Sequence, residues 1–299
     1  VTAKGGSTAA GIGSGNGSNG STIINIEGGT ITAEGGGKEN GSCQASGAGI
    51  GSGGNALNKT TINIKGGEIT ATGGVSLDSR NHSDKWLSGA GIGSGSNVSG
   101  ETEINISGDS TIKSASGGKY GGAGISKKGA VTINITGGNI EKATGGGEYV
   151  SSSKRWYSGA GIGAGLNAGT TTINIKDNAH IVSATGGKYG GAGIGSGSSD
   201  TKNNSKKGAV TINITDGTIE KAEGKNGGAG IGSGYYGRSS TVNISGNAEL
   251  KDVKGGNLAA GIGSGYDSDK VDVVIDGGTI NATGGDSAAG IGSGHNSRS

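Results

Sequence analysis

A glycine-rich heptapeptide of the form Gly-Ala-Gly-Ile-Gly-Ser-Gly recurs nine times along this 299-residue chain, with small substitutions. Its isoleucines are separated by 29 to 42 residues. A recurrence of this length is typical of solenoids, in which each repeat forms one coil and contacts chiefly its neighbours. The isoleucines are Ile12, Ile50, Ile92, Ile125, Ile162, Ile194, Ile231, Ile262 and Ile291.

The composition narrows the kind of core that the chain can build. It has 73 glycines but no proline, methionine or phenylalanine. Collagen is excluded because glycine does not follow a strict three-residue period, and disorder is disfavoured because Ile and Val recur in fixed register. We therefore expect one domain over residues 1–299 with a thin aliphatic column as its core.

Each repeat also contains a short alternating phrase of the form Thr-Ile-Asn-Ile. Alternation of β-branched and polar residues predicts a strand with one buried face. The predicted inward pairs are Ile24/Ile26, Ile62/Ile64, Ile104/Ile106, Ile133/Ile135, Ile173/Ile175, Ile212/Ile214, Val242/Ile244 and Val273/Ile275.

A second strand phrase follows, as in Glu68-Ile69-Thr70-Ala71-Thr72. Five middle repeats carry one extra residue in it, which would reverse the alternation unless the strand bulges. A bulge keeps one small apolar residue of each repeat directed inward, and these are Ala115, Ala143, Ala184, Ala222 and Val253.

Three short strands per repeat with glycine at the corners predict a three-sided, single-stranded parallel β-helix of about eight to nine coils, stacked at about 4.8 Å. Parallel crossovers are nearly always right-handed, so we expect a right-handed helix. In the heptapeptide, parity predicts that isoleucine points inward and glycine outward. That wall could be a bare surface that another backbone or a flat glycan approaches closely. Alternatively, glycine could serve there only to let the chain turn tightly.

The few aromatic residues fall at fixed distances from the heptapeptide isoleucine. Trp86 and Trp156 lie six residues before it, and Tyr120, Tyr157 and Tyr189 lie five before it. Equal offsets place them along one edge of a solenoid. Either they pack over glycine corners or they form a platform that stacks against sugar rings, aided by the adjacent basic residues Lys85, Lys119, Arg155 and Lys188.

An outward row of asparagine occupies one strand position in seven repeats. Stacked amides can form a hydrogen-bonded ladder, and a flat Thr/Asn array can alternatively order water, as in ice-binding solenoids. Ile23, Glu103 and Asp272 interrupt the adjacent threonine column. The asparagines are Asn25, Asn63, Asn105, Asn134, Asn174, Asn213 and Asn243.

Catalytic and metal motifs are weak in this sequence. The acids are scattered, the three histidines lie in different kinds of position, and no Ser/His/Asp arrangement is present. We expect no enzyme activity and no obligatory cofactor, although calcium remains open at Asp267 and Asp269. The net charge of +2 gives no concentration of positive charge suited to nucleic acid. Cys43 is the sole cysteine. No stretch is apolar enough to insert into a membrane.

The phrases quoted above resemble glycine-rich β-helix repeats in large secreted or wall-attached proteins of Gram-positive, often gut-dwelling, bacteria. Some relatives are described as carbohydrate-binding domains with a pectate-lyase-like helix. The resemblance implies an extracellular location at the cell wall or surface. Because the chain starts within a repeat, we expect it to be a fragment of a longer protein, with further repeats or end-to-end association.

The sequence thus predicts a non-catalytic adhesive or glycan-binding β-helix module whose ligand is a carbohydrate or a host or cell-surface molecule. Three alternatives remain at this point: a structural stalk, an ice-binding solenoid and a polysaccharide lyase.

Overall fold

A computed structural model describes residues 1–38, 45–78, 85–126, 129–150, 155–166, 168–199, 208–237 and 239–298, without the side chains of 77–78, 85–87, 150 and 155. The chain folds as a parallel β-helix. The alternating phrase forms the first face, where each strand pairs in parallel with its equivalent in the next coil. First-face strands are Thr22–Ile26, Thr60–Ile64, Thr102–Ile106, Val131–Ile135, Thr171–Ile175 and Val210–Ile214, followed by Ser240–Lys254 and Val271–Thr283, which continue across the second face.

The second face is formed by the phrase that follows each first-face strand. Its strands pair in parallel, so Ile31 lies beside Ile69, and Ile69 lies beside Ile112. Besides the two continuous strands, the second-face strands are Thr2–Lys4, Thr30–Glu34, Glu68–Thr72, Thr111–Ser116, Asn139–Ile140, Ala143–Thr144, His180–Ile181, Ala184–Thr185, Thr218–Ile219 and Ala222–Glu223.

The third face contains the heptapeptide, of which only Ile-Gly is strand. Ile125 joins the neighbouring strands through isolated parallel bridges. The strands are Ile12–Gly13, Ile50–Gly51, Ile92–Gly93, Ile162–Gly163, Ile194–Gly195, Ile231–Gly232, Ile262–Gly263 and Ile291–Gly292.

The predicted aliphatic column is confirmed. The inward isoleucines of the middle coils, such as Ile104, Ile133 and Ile173, are fully buried and belong to one cluster that runs from Ile24 to Ile262. Since a fully buried aliphatic side chain contributes about 1.5–3 kcal/mol, stacking of the coils supplies the apolar stabilisation that one coil cannot provide alone.

The predicted bulges are also confirmed. The pairing of Thr111–Ser116 with Glu68–Thr72 shifts register between Ile112 and Ser114, which restores the match of Ala115 with Ala71. A second shift, between Leu250 and Val253, has the same effect. The residues after the bulges are at most 1% exposed, and they are Ala115, Ala143, Ala184, Ala222 and Val253.

The prediction of an outward glycine wall is wrong. Gly49 and Gly51 are buried, and a Cβ on Gly49 would lie 2.7 Å from the Thr72 nitrogen. Gly51 has φ +138°, and a Cβ there would overlap the carbonyl of Gly93 in the next coil. Glycine is therefore needed at these two positions, because neighbouring backbone lies too close to them for any side chain.

The heptapeptide curls instead of running flat. Within one copy, the Ala48 N–H donates to the carbonyl of Ser52 at 3.0 Å, and the equivalent bond from Ala229 to Ser233 is 2.9 Å. The Ser52 hydroxyl in turn accepts the N–H of Gly95 from the next coil at 3.1 Å. The serine of the phrase thus joins successive coils.

Two corner insertions form antiparallel hairpins. Val75–Asp78 pairs with Lys85–Ser88, and Gly147–Val150 pairs with Arg155–Ser158. Four aromatic residues therefore belong to hairpin strands, where successive side chains alternate in direction, and these are Trp86, Tyr149, Trp156 and Tyr157. Cys43 lies outside the described residues.

Candidate ligand-binding site on an aromatic edge

The hairpin of 147–158 projects a tryptophan from the edge of the solenoid. Tyr149 pairs with Trp156 across its two strands. Strand alternation then sends Trp156 outward, where it is 42% exposed, and Tyr157 inward, where it is 7% exposed. Position in the hairpin thus decides which of two adjacent aromatic residues can meet a ligand.

Two tyrosine rings contact the exposed Trp156 ring, and we name Tyr149, Trp156 and Tyr189 the Trp156 cluster. The centroids of Tyr149 and Trp156 are 4.4 Å apart at 39°, and those of Trp156 and Tyr189 are 4.7 Å apart at 45°. Aromatic contacts at such distances contribute about 0.5–1.5 kcal/mol each, which restrains the rings. The structure therefore brings together Trp156 and Tyr189, as predicted, and adds Tyr149.

The prediction that Tyr120 and Tyr157 belong to an exposed platform is wrong, because both side chains are buried. They pack against each other and against Val75 and Leu166, and Tyr120 is only 6% exposed. Tyr120 is covered by Tyr157 and Leu166 of the next coil, and Tyr157 is buried because the hairpin directs it inward. For these two residues the packing alternative holds, and neither ring offers a face to a ligand.

The basic residues have different surroundings. The Nζ of Lys188 lies 5.2 Å from the centroid of the Tyr189 ring, and the Nζ of Lys119 lies 5.3 Å from the centroid of the Tyr120 ring. Lys119 also pairs with Glu148 at 3.6 Å, so part of its charge is neutralised within the protein. Lys188 is thus the better placed of the two to meet a ligand at the Trp156 cluster.

Three predicted contact residues cannot be placed. The backbone of Lys85, Trp86 and Arg155 belongs to hairpin strands, but their side chains lie outside the described part of the structure. Trp86 occupies the same place before its heptapeptide as Trp156. Its contribution to a ligand site stays a prediction.

A second aromatic stack was missed by the sequence reasoning, and we name Tyr235, Tyr266 and His295 the second stack. The Tyr235 and Tyr266 rings are 5.1 Å apart at 19°, and the Tyr266 and His295 rings are 5.7 Å apart at 3°. All three lie four residues after the heptapeptide isoleucine. Counting forward from that isoleucine, as well as backward, would have revealed the alignment.

Tyr235 is restrained at its backbone and at its ring. Its N–H donates to the carbonyl of Gly190 at 2.8 Å, and Tyr236 lies 4.2 Å away at 58°. Burial, and then a hydrogen bond with Tyr236, raise the pKa of the Tyr235 phenol. The hydroxyl therefore remains protonated at physiological pH.

The residue after each stacked ring adopts a left-handed conformation. Tyr236 has φ 53°, whereas the same position carries Asn97 at 56° and Asp267 at 50°. Asn and Asp tolerate this region, but a bulky aromatic residue does so rarely. Asp267, predicted as a weak calcium ligand with Asp269, is thus placed as a turn residue, and the described residues contain no group of three His, Cys, Asp or Glu side chains suited to a metal.

Between the Trp156 cluster and the second stack lies a small cavity, which we name the ring cleft. It has a volume of about 170 Å³ and is lined by Trp156, Tyr189, Asn226 and Tyr235. These residues come from three successive coils. The amide Nδ2 of Asn226 donates to the carbonyl of Lys188 at 2.8 Å, which fixes the one polar side chain among three aromatic ones.

The outward asparagines form the predicted ladder. Each amide Nδ2 donates to the Oδ1 of the previous coil's asparagine, and all six bonds measure 2.8 Å. Charged residues flank the row, since Lys59 pairs with Glu103 at 2.7 Å and Lys65 with Glu27 at 3.1 Å. The structural interpretation of this row is therefore confirmed.

A larger open groove of about 1030 Å³ follows the corner between the first and second faces. Asp177, His180, Asp216 and Glu249 line part of it. Asp216 already accepts the Asn247 N–H at 2.9 Å. The groove has polar walls, and it lacks the aromatic surfaces of the ring cleft.

Comparison with known families supports the architecture. Five segments match a family model described as a beta helix repeat: residues 24–54, 62–96, 133–166, 212–235 and 273–295. The chain contains a parallel β-helix repeat region. Each matched segment runs from a first-face strand, through the heptapeptide, to the position of Leu166 or Tyr235 in its coil. The comparison with curated proteins and the comparison with solved structures gave no match.

Among the described residues we find no helix with the length and apolar character needed to cross a bilayer.

Proposed function

We propose that this β-helix is a non-catalytic extracellular module of a bacterial cell-surface protein, and that it binds carbohydrate through the Trp156 cluster. The observation that carries the proposal is the indole of Trp156, which contacts the rings of Tyr149 and Tyr189 and still remains 42% exposed. Sugar rings have apolar faces that stack on such surfaces, and polar groups nearby bind their hydroxyls.

The rigid solenoid supports this function physically. Binding loses less free energy when the contacting groups are ordered beforehand. Here the hairpin is paired along four residue pairs, and contacts with the Tyr149 and Tyr189 rings limit the movement of the indole. Lys188 beside Tyr189 adds a donor and a positive charge next to the rings.

A fluorescence titration tests the proposal directly. In a Trp86→Phe background Trp156 is the only tryptophan, so its emission reports on a ligand at this position. A glycan array would identify candidate ligands first, and each glycan that binds on the array would then be titrated individually. Isothermal titration calorimetry, which needs no tryptophan, would compare the unsubstituted protein with its variants. Trp156→Ala should weaken binding about tenfold to a hundredfold, because burial of one large side chain is worth about 1.5–3 kcal/mol.

A matched control is available at another exposed apolar position. Leu57 is 55% exposed, and Leu57→Ala should leave the affinity unchanged. Equal binding by the Trp156→Ala variant would contradict the proposal. Release of unsaturated sugars from pectin would instead indicate a lyase, and thermal hysteresis would indicate ice binding.

A structural stalk is the second candidate, and one observation favours it. The core is continuous from Ile24 to Ile262, so the coils form one unbroken column. A stalk predicts no glycan binding and the same affinity for every variant, which the titration distinguishes from the first proposal. The cell-surface location would be tested by antibody labelling of intact cells.

A further inference from the structure

We propose that the ring cleft is a subsite for a single six-membered sugar ring, which enters between the Trp156 cluster and the second stack. This inference rests on the proposed function, and it specifies which part of a glycan is recognised. It assigns Tyr235 and Asn226 to the site, in addition to Trp156 and Tyr189.

The size and lining of the cleft fit one ring. Its volume is about 170 Å³, and three of its four lining residues are aromatic. An apolar cavity of about 150 Å³ accepts benzene, so the cleft has room for one six-membered ring and little more. Aromatic walls suit the apolar faces of a pyranose.

Tyr235 forms a fixed wall of the cleft. Its Cβ lies against Gly190, where an added Cβ would overlap it, and its ring lies over Gly227. Tyr266 stacks on Tyr235 at 5.1 Å and 19°. Because Gly190 has φ +99° and no side chain, the Tyr235 ring can approach the backbone of the preceding coil closely.

Tyr236 gives an independent indication that this corner serves more than folding. It holds φ 53° at a position where other coils use Asn55, Asn97, Asp267 and Asn296 at φ 50° to 56°. An aromatic residue in this region is strained, and retained strain is a reason to look for function. Its ring lies 4.2 Å from Tyr235, which it restrains.

Asn226 supplies the polar contact that orients a sugar. Its Nδ2 donates to the carbonyl of Lys188 at 2.8 Å, which sets the direction of the amide. The Oδ1 can accept a hydrogen bond from a sugar hydroxyl. A few fixed polar groups within apolar walls are the usual composition of a small-molecule site.

The neighbouring rings limit recognition to one sugar. Tyr149 packs on Trp156 within one hairpin, and Tyr266 of the following coil packs on Tyr235. A glycan that ran along the solenoid axis would find these faces already occupied by protein. We therefore expect binding of a chain end or a single projecting residue.

The experiment compares glycan length and variant. The probes are the methyl glycosides of glucose, galactose and N-acetylglucosamine and their β-linked oligomers of up to six units, titrated against Trp156 fluorescence in the Trp86→Phe background. For the sugar that binds, affinity should change less than threefold from two units to six. Tyr235→Ala should weaken binding about tenfold, whereas Tyr235→Phe should retain it.

Other outcomes separate the two proposals. Affinity that rises steadily with each added unit and does not respond to Tyr235→Ala would overturn the single-ring subsite while leaving glycan binding at Trp156 intact. Failure of every oligomer, and of the array, to bind would overturn both proposals. Circular dichroism and thermal unfolding of each variant would establish that Tyr235→Ala is folded. Asn226→Gly provides a second variant that should weaken binding without loss of structure, because Asn226 is exposed and glycine tolerates its φ of 48°.

Discussion

Replacement of one asparagine in the ladder should destabilise the protein by an amount that depends on its place in the row. Asn134 donates to Asn105 and accepts from Asn174, both at 2.8 Å. Asn134→Ala therefore removes two hydrogen bonds. At about 0.5–1.5 kcal/mol for each bond, the free energy of unfolding should fall by about 1–3 kcal/mol. The position is half-buried, so water can bond to the amides left unpaired, and we expect the lower part of that range.

The end of the ladder supplies the internal control. Asn243 donates to Asn213 at 2.8 Å, but the next coil has Val274 beside it, which cannot donate to an amide. Asn243→Ala thus removes one bond and should cost about half as much as Asn134→Ala, or about 0.5–1.5 kcal/mol. Thr132→Ala, on the same strand as Asn134, measures the loss of strand propensity without a ladder bond.

A double-mutant cycle tests the ladder most strictly. Asn134→Ala and Asn174→Ala each remove two bonds, but they share one, so the double variant removes three. Its cost should fall below the sum of the single costs by about one bond, or about 0.5–1.5 kcal/mol. Unfolding would be followed in urea by tryptophan fluorescence, with hydrogen exchange as a local readout because repeat arrays need not unfold in two states. Simple additivity, or an equal cost for Asn243→Ala and Asn134→Ala, would refute the reasoning.

Three further predictions concern glycine, backbone strain and charge. Gly195→Ala should lower the free energy of unfolding by about 3 kcal/mol or more, because Gly195 has φ +138° and an added Cβ would overlap the Gly232 carbonyl. Gly28→Ala should be nearly neutral in the same urea assay, because an added Cβ there would have no atom within 4 Å. Tyr236→Asn should be about 1 kcal/mol more stable than Tyr236→Ala, because both lose the contact with Tyr235 but asparagine tolerates a φ of 53°, and equal melting temperatures would contradict this. A hydrogen bond from Lys59 lowers the pKa of Glu103 from 4.5, so this pair stabilises the fold above that pH and is lost as the pH falls through the lowered value. In urea titrations across that range, Glu103→Gln should flatten the pH dependence.

Much of the architecture could be predicted because it depends on short, repeated patterns. Alternation in Ile133 and Ile135 assigns a buried face, and one extra residue before Ala143 requires a bulge. The Asn134 amide could be assigned to a ladder because equal positions in a solenoid lie one coil apart. These features need only the local period and the stacking of coils.

The direction of the third-face glycines could not be predicted by parity. The heptapeptide curls, with Ala48 bonded to the carbonyl of Ser52, and φ at Gly51 is +138°. Strict alternation of side chains applies only to extended backbone, so the parity argument fails where the chain turns within the phrase. A sequence that is one-quarter glycine cannot reveal which neighbouring backbone each glycine approaches.

The candidate site was predicted only in part for a related reason. Offsets from the isoleucine correctly placed Trp156 and Tyr189 on one edge, but they could not distinguish exposed rings from covered ones. Tyr120 and Tyr189 share the same offset, yet Tyr120 is buried because Tyr157 and Leu166 of the next coil cover it.

The sequence by itself therefore determined the coil, its inward isoleucines and the alignment of equivalent positions, since these follow from a repeat in which every coil meets its own copy. Only the tertiary structure decided the exposure of each aromatic ring and the opening of a cleft between Tyr189 and Tyr235. Those properties depend on the insertions, which differ from coil to coil, and on what each insertion places over its neighbour.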